Sequence, residues 1–190
     1  TTQSLTWARF TRCSPDGRHL LMGSNQGQAR VWEVSTGRVV VDFVQQPTAI
    51  LRAMYSPDGR LVATGARRAL TQLFEASSGR EIGSPVRHRG EYTEGVFSPD
   101  GQVVASYSAD GTVYVQQARA AWAVTHGIET AGSVWMVNFS HDGKRLVTTT
   151  REGTAQIFDV ASGVPLGDPL RHGASRVIAT ASTASKLALA

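Results

Sequence analysis

"FSPDGQVVASYSADGTVYV" (residues 97–115) opens with a turn that the chain spells three more times: "CSPDG" from Cys13, "YSPDG" from Tyr55 and "FSHDG" from Phe139. The closing glycines, Gly17, Gly59, Gly101 and Gly143, follow one another at intervals of 42, 42 and 42 residues. Trp32, Phe74, Gln116 and Phe158 keep the same interval, as do Gly37, Gly79 and Gly163, with Ala121 in the remaining place. Three markers on one spacing require an internal repeat, and a period of this length fixes the architecture before any local reading does.

Within a unit the pattern is β. "VWMVNFS" (134–140) suits a buried strand, "HDG" turns the chain, and "KRLVTTT" is β-branched and again strand-like. "REG" makes a second turn before "TAQIFDV", and "ASG" a third before a short outer strand near "VPLG". Four strands and three tight turns predict an antiparallel meander. No segment holds an apolar period of 3.6 residues, so helix does not compete. In Ser-Pro-Asp-Gly, proline presets φ for a type I turn, aspartate suits the third position, and glycine accepts the left-handed conformation that lets the next strand re-pair. Asp16, Asp58, Asp100 and Asp142 are therefore turn residues rather than catalytic carboxylates, since one per unit would lie far apart.

The bulk properties agree. The chain has 190 residues, 41% hydrophobic and 18% charged, with 19 glycines, which favours one turn-rich domain over a helical one. No apolar run reaches the roughly 18 residues of a membrane span, and "TTQSLTW" has neither the basic start nor the apolar core of a signal peptide. A cytoplasmic location is expected, and the missing initiator Met suggests a trimmed or partial chain. Cys13 is the only cysteine, which excludes a multi-cysteine metal site. It stands where other units have Tyr55, Phe97 and Phe139, so it is expected to replace a core aromatic. The net charge of +4 permits nucleic-acid binding without arguing for it.

These units, "FSPDG" followed by "ASYSADGTVYV" and then by "VWEV" (31–34) or "IFDV" (157–160), resemble the WD-repeat (WD-40) family of β-propellers, in a style nearest its bacterial members. The likeness runs from about residue 7 to residue 177. Trp32, Phe158 and Asp159 match the family's Trp-Asp ending, His88 and His172 its histidine before the first strand, and Asp110 its turn aspartate; Gln26 and Arg68 depart from it. The resemblance implies a buried network of histidine, serine or threonine, aspartate and tryptophan that stiffens each blade. No unit here holds all four, since Gln116 replaces the tryptophan beside His88 and Asp110.

The expected fold is all-β: a β-propeller of four-stranded antiparallel blades, four of them with the first strand of a fifth, in an open or partial ring. The units run about 7–46, 47–88, 89–130 and 131–172, with a partial fifth over 173–190 that begins at "SRVIATAS". Such blades have two apolar faces and must stack to bury them, so an incomplete ring is expected to expose its flanks and to self-associate.

The leading functional expectation is a non-catalytic protein-interaction scaffold within a larger, signalling or kinase-linked protein, binding a protein or peptide through loops and rims. By repeat matching, Arg9, Leu51, Thr93 and Trp135 share a first-strand position that faces the central opening in the family. Arg67, Arg68, Arg151 and Glu152 lie in turns on a rim, and Arg89 flanks His88. Arginine and tryptophan suit binding hot spots. Tyr92 and Tyr107 are poorer candidates because both fit core strand positions. Trp122, in "QQARAAWAVTHGIE", belongs to a degenerate outer strand or a modified edge. The alternative is a nucleic-acid-binding propeller with an arginine-rich rim, disfavoured by the lack of a long basic–aromatic stretch. No Gly-x-Ser-x-Gly, His-Glu-x-x-His or phosphate-cradling motif points to an enzyme, and no cofactor, metal or membrane partner is expected.

Overall fold

Four Ser-x-Asp-Gly turns fold alike and set the frame. In the computed structural model, which describes residues 8–43, 46–68, 70–118 and 124–171, each turn serine donates its hydroxyl to the aspartate two residues on, at 2.5 Å for Ser14–Asp16 and 2.6 Å for Ser56–Asp58, Ser98–Asp100 and Ser140–Asp142. The same carboxylate accepts the amide of the residue after the glycine: Arg18, Arg60, Gln102 and Lys144. Gly17, Gly59, Gly101 and Gly143 hold φ between 69° and 71°, the left-handed region that a side chain disfavours.

Those turns join strands into four meanders. The first sheet is β1 (Ala8–Cys13), β2 (His19–Ser24), β3 (Ala29–Glu33) and β4 (Val39–Asp42). The second is β5 (Ile50–Tyr55), β6 (Leu61–Ala66), β7 (Leu70–Glu75) and β8 (Glu81–Arg87). The third is β9 (Thr93–Phe97), β10 (Val103–Ser108), β11 (Thr112–Gln117) and β12 (Val124–Glu129). The fourth is β13 (Val134–Phe139), β14 (Arg145–Thr150), β15 (Thr154–Asp159) and β16 (Leu170–Arg171). Every sheet is antiparallel, its strands neighbouring in sequence order. Among the described residues there is no helix.

Each pair of successive sheets encloses its own core. Leu21, Val31 and Phe43 of the first sheet meet Ile50, Ala53 and Phe74 of the second. Leu61, Ala63 and Leu73 meet Phe97 and Val104, while Val113, Val115 and Ile128 meet Val137, Phe139 and Phe158. The turns stack as well: Pro15 lies against Gly59, Pro57 against Gly101 and Pro99 against Gly143. Among the described residues no such core joins the fourth sheet to the first. The array is therefore an open, propeller-like stack.

That opening corrects the reading of Cys13. Its repeat mates Phe97 and Phe139 are 8% and 5% exposed because a preceding sheet covers them, whereas Cys13 is exposed. Val34 is 57% exposed against 8% for Ala76, 0% for Ala118 and 8% for Val160, and nothing approaches Gly17 as Pro15 approaches Gly59. Among the described residues, a core-type residue on the first blade's leading face has no sheet to meet. The fifth unit (173–190), His172, Trp7 and Trp122 lie outside the described residues.

The network around His88 forms in part. Its Nδ1 is 2.7 Å from Thr112 Oγ1 and its Nε2 is 3.0 Å from Ser106 Oγ. Asp110 accepts the amide and hydroxyl of Thr112 and the amides of Arg89 and Gly90, so it ties the third sheet's turn to the incoming chain. Burial pushes the His88 ring down to about 4, against the pull of the Asp110 carboxylate, so it is neutral in the fold. Gln116 fills the tryptophan position fully buried, and among the described residues neither atom of its amide has a hydrogen-bond partner. One unit earlier Gln46 does the histidine's work, donating to Thr64 Oγ1 at 2.6 Å. At the Trp-Asp ending, Asp159 accepts the amide and hydroxyl of Ser162 and so holds the next turn; Trp32 is half-buried at the open flank.

Candidate interaction groove

A β-bulge shapes the start of three inner strands. Pairing skips from Ala8 to Phe10, from Ile50 to Arg52 and from Val134 to Met136, which leaves Arg9, Leu51 and Trp135 as the extra residues. A bulge re-aims its side chain and recurs beside functional sites. The third blade lacks it: Thr93 pairs with Ser108, is 1% exposed, and donates its hydroxyl to the Leu70 carbonyl at 2.8 Å. Three of the four equivalent positions are thus turned out of the ladder, and the fourth is tied into the neighbouring blade.

The bulged residues line one cavity of about 520 Å³ at the convergence of all four inner strands. Arg9, Leu51, Tyr92, Trp135 and Arg151 contribute to its wall, with Arg52, Glu94, Tyr107 and Ser108. The Arg151 guanidinium lies 5.2 Å from the centre of the Trp135 ring, within reach of a cation–π contact. Arg52 Nε pairs with Glu94 Oε1 at 3.1 Å, and Tyr107 donates to Glu94 Oε2 at 2.8 Å. Burial, reinforced by the Glu94 charge, pushes the Tyr107 phenol far above its usual range, so it stays a donor. Arg9 donates to Asn25 Oδ1 at 3.0 Å. Among the described residues Arg9 and Arg151 form no ion pair.

Of the candidates singled out in the sequence, the structure gathers Arg9, Trp135 and Arg151 here, beside Leu51 and Thr93. It does not bring Arg67, Arg68, Arg89 or Glu152 into the wall. Arg67 and Arg68 form the β6–β7 turn, whose amides donate to the Ala49 and Glu91 carbonyls. Arg68 is the one non-glycine with positive φ, 60°, among the described residues. The matching turns place that conformation on Gly27, Gly111 and Gly153, and the second unit has Ala69 in the glycine's place. Arg89 is exposed and binds Asp110 through its backbone. Glu152 is exposed, and its own and the Ser133 backbone amides hold its carboxyl below the usual range.

Sequence reasoning missed Arg52 and Glu94, although they stand 42 residues apart on adjacent inner strands with opposite charge. That is the signal that could have found them. Tyr107 is buried, as its strand pattern suggested, yet its hydroxyl serves the groove; Tyr92 is 41% exposed and is not core. Its strand partner is the isolated bridge to Arg67, outside the regular ladder, which leaves the ring at the cavity. Among the described residues no group of three or more His, Cys, Asp or Glu could hold a metal ion.

Residues 88–115 and 124–159 match the sequence model of the WD domain, G-beta repeat. No curated protein is similar enough to the chain to count as a relative. The matched stretches are the third and fourth copies of one 42-residue unit, and the first two copies fold into sheets of the same order and pairing. Over those two stretches the chain is similar to the WD-repeat family.

Proposed function

We propose that the chain is a non-catalytic docking scaffold within a larger, signalling-linked protein, and that the groove at the convergence of its inner strands is where a protein partner seats. Repeats of this family generally mediate protein–protein contacts. The observation that carries the reading is the set of three bulges that turn Arg9, Leu51 and Trp135 out of the ladder into one cavity. An aromatic ring and flexible arginines around a preformed concavity have the composition of a binding hot spot. The open leading flank supports a second contact, self-association, through Cys13, Trp32 and Val34.

Site-specific photo-cross-linking tests the groove. The full-length parent protein carrying Trp135→p-benzoylphenylalanine is irradiated in its own cells beside one carrying Val40→p-benzoylphenylalanine, on the exposed outer strand β4. Discrete adducts at position 135 and none at 40 are expected. Equal labelling at the two positions, or none at 135, would overturn the docking role.

A further inference from the structure

The charges in the groove do not cancel. Its wall carries three guanidinium groups, of Arg9, Arg52 and Arg151, and one carboxylate, Glu94. Glu94 is already satisfied: Arg52 pairs with one oxygen and Tyr107 donates to the other. Among the described residues, Arg9 donates to a neutral amide and Arg151 lies on the face of an indole. Neither of these two guanidiniums forms an ion pair among the described residues, Glu152 beside Arg151 feeling its charge only from outside the wall, and in a concavity low-dielectric walls strengthen their field. A further polar group lacks a partner among the described residues: Ser108 is 2% exposed, its hydroxyl makes no hydrogen bond to them, and it lies on the same wall.

We infer that the groove receives an extended, acidic segment of the partner protein, its carboxylates meeting Arg9 and Arg151 and an apolar side chain between them packing on Leu51, Tyr92 and Trp135. The inference rests on the docking role proposed above and adds the chemistry of what docks. Guanidinium is the natural receptor for carboxylate, which it binds with two parallel N–H donors. The cavity, about 520 Å³, has room for a few side chains rather than a folded domain. A basic segment would meet a wall with three guanidiniums and one carboxylate. A nucleic-acid strand carries a phosphate at every step, whereas this wall offers two unpaired guanidiniums around a carboxylate and no run of them.

The test uses the full-length parent protein and short fluorescein-labelled peptides of one apolar pattern in acidic, uncharged and basic versions, with a single-stranded DNA oligonucleotide of similar length. Fluorescence anisotropy is read against rising salt. The acidic peptide is expected to bind at least about tenfold more tightly than the others and to weaken as salt screens the pairs. Arg9→Glu with Arg151→Glu should abolish that preference, while Arg38→Glu, an exposed charge outside the groove, should leave it intact. Unchanged circular dichroism and thermal midpoint in the double variant separate lost binding from lost fold. Tight binding of the uncharged or basic peptide, lost in Trp135→Ala, would keep the groove as a docking site and overturn the acidic assignment. Preferred binding of the oligonucleotide would overturn it too. No binding of any probe, together with no cross-link at position 135, would remove both the inference and the reading beneath it.

Discussion

Acidification should unlock the third blade through His88. The ring is buried, with its side chain 0% exposed, and both nitrogens are engaged by hydroxyls. Loss of water lowers its pKa from 6.5 to about 4, although Asp110, 4.0 Å away, pulls the other way. Below pH 6.5 the unfolded chain takes up a proton that the native ring refuses until about pH 4. Protonation therefore favours unfolding: the contribution is complete above 6.5 and is lost as the pH falls towards 4. At 1.36 kcal/mol per pH unit, the window is worth about 3 kcal/mol, or some 6–12 °C in Tm for a chain of this size. The turn carboxylates do not confound this. Asp16, Asp100 and Asp142 sit below their usual 3.8 because serine hydroxyls and backbone amides bind them, so their contribution persists until more acidic pH. The assay is urea unfolding followed by tryptophan fluorescence at pH 7, 5.5 and 4.5 and constant ionic strength. His88→Gln is the control. Gln46 already donates to Thr64 from the equivalent position, so glutamine at 88 can donate to Ser106 without a group that titrates. Parent stability should fall steeply across the window and the variant's far less. A flat parent, or a variant with the parent's slope, would refute the linkage.

Three other substitutions probe the fold. Gln116→Leu removes two buried amide atoms that have no partner among the described residues and should raise stability by about 1–3 kcal/mol; a lower urea midpoint would show that the amide is satisfied. Arg68→Gly relieves a side chain held at φ 60° and should add about 1 kcal/mol, whereas an unchanged or lower thermal midpoint would place the strain elsewhere. Val34→Glu puts a charge on the open leading flank, where Val34 is 57% exposed. It should reduce self-association at high concentration in multi-angle light scattering, and equal masses for parent and variant would refute the flank as a contact.

The blades could be read from the sequence because their turns are chemically forced. A position that must hold φ near 70° selects glycine, and one that must accept a serine hydroxyl and an amide selects aspartate, so these residues recur every 42 positions. The fate of Cys13 could not be read this way. The repeat tells which face a residue belongs to, but burial depends on the neighbouring sheet, and among the described residues the first sheet has none on that side. The histidine network was only half legible for a similar reason. Gln46 has a different side chain from His88, yet it reaches the same hydroxyl position in its blade. Matching by residue type misses matching by donor.

Arg9, Leu51, Thr93 and Trp135 make the complementary case. They occupy one repeat position and share neither charge, size nor polarity. Three of them are the extra residues of bulges, outside the ladder's pairing, and so are released from the packing that makes the turns and cores alike. The fourth lacks the bulge and is a buried threonine that hydrogen-bonds the preceding blade. Release from the ladder is thus what permits chemistry at that level of the inner strands, and return to it converts the same position into scaffold. Stability and docking should separate accordingly. Trp135, 37% exposed and facing the Arg151 guanidinium, should be removable at a cost of about 1 kcal/mol, with loss of the partner. Thr93→Val, which deletes a buried donor while the Leu70 carbonyl remains, should destabilise by about 1–3 kcal/mol and leave the groove's ligand preference unchanged.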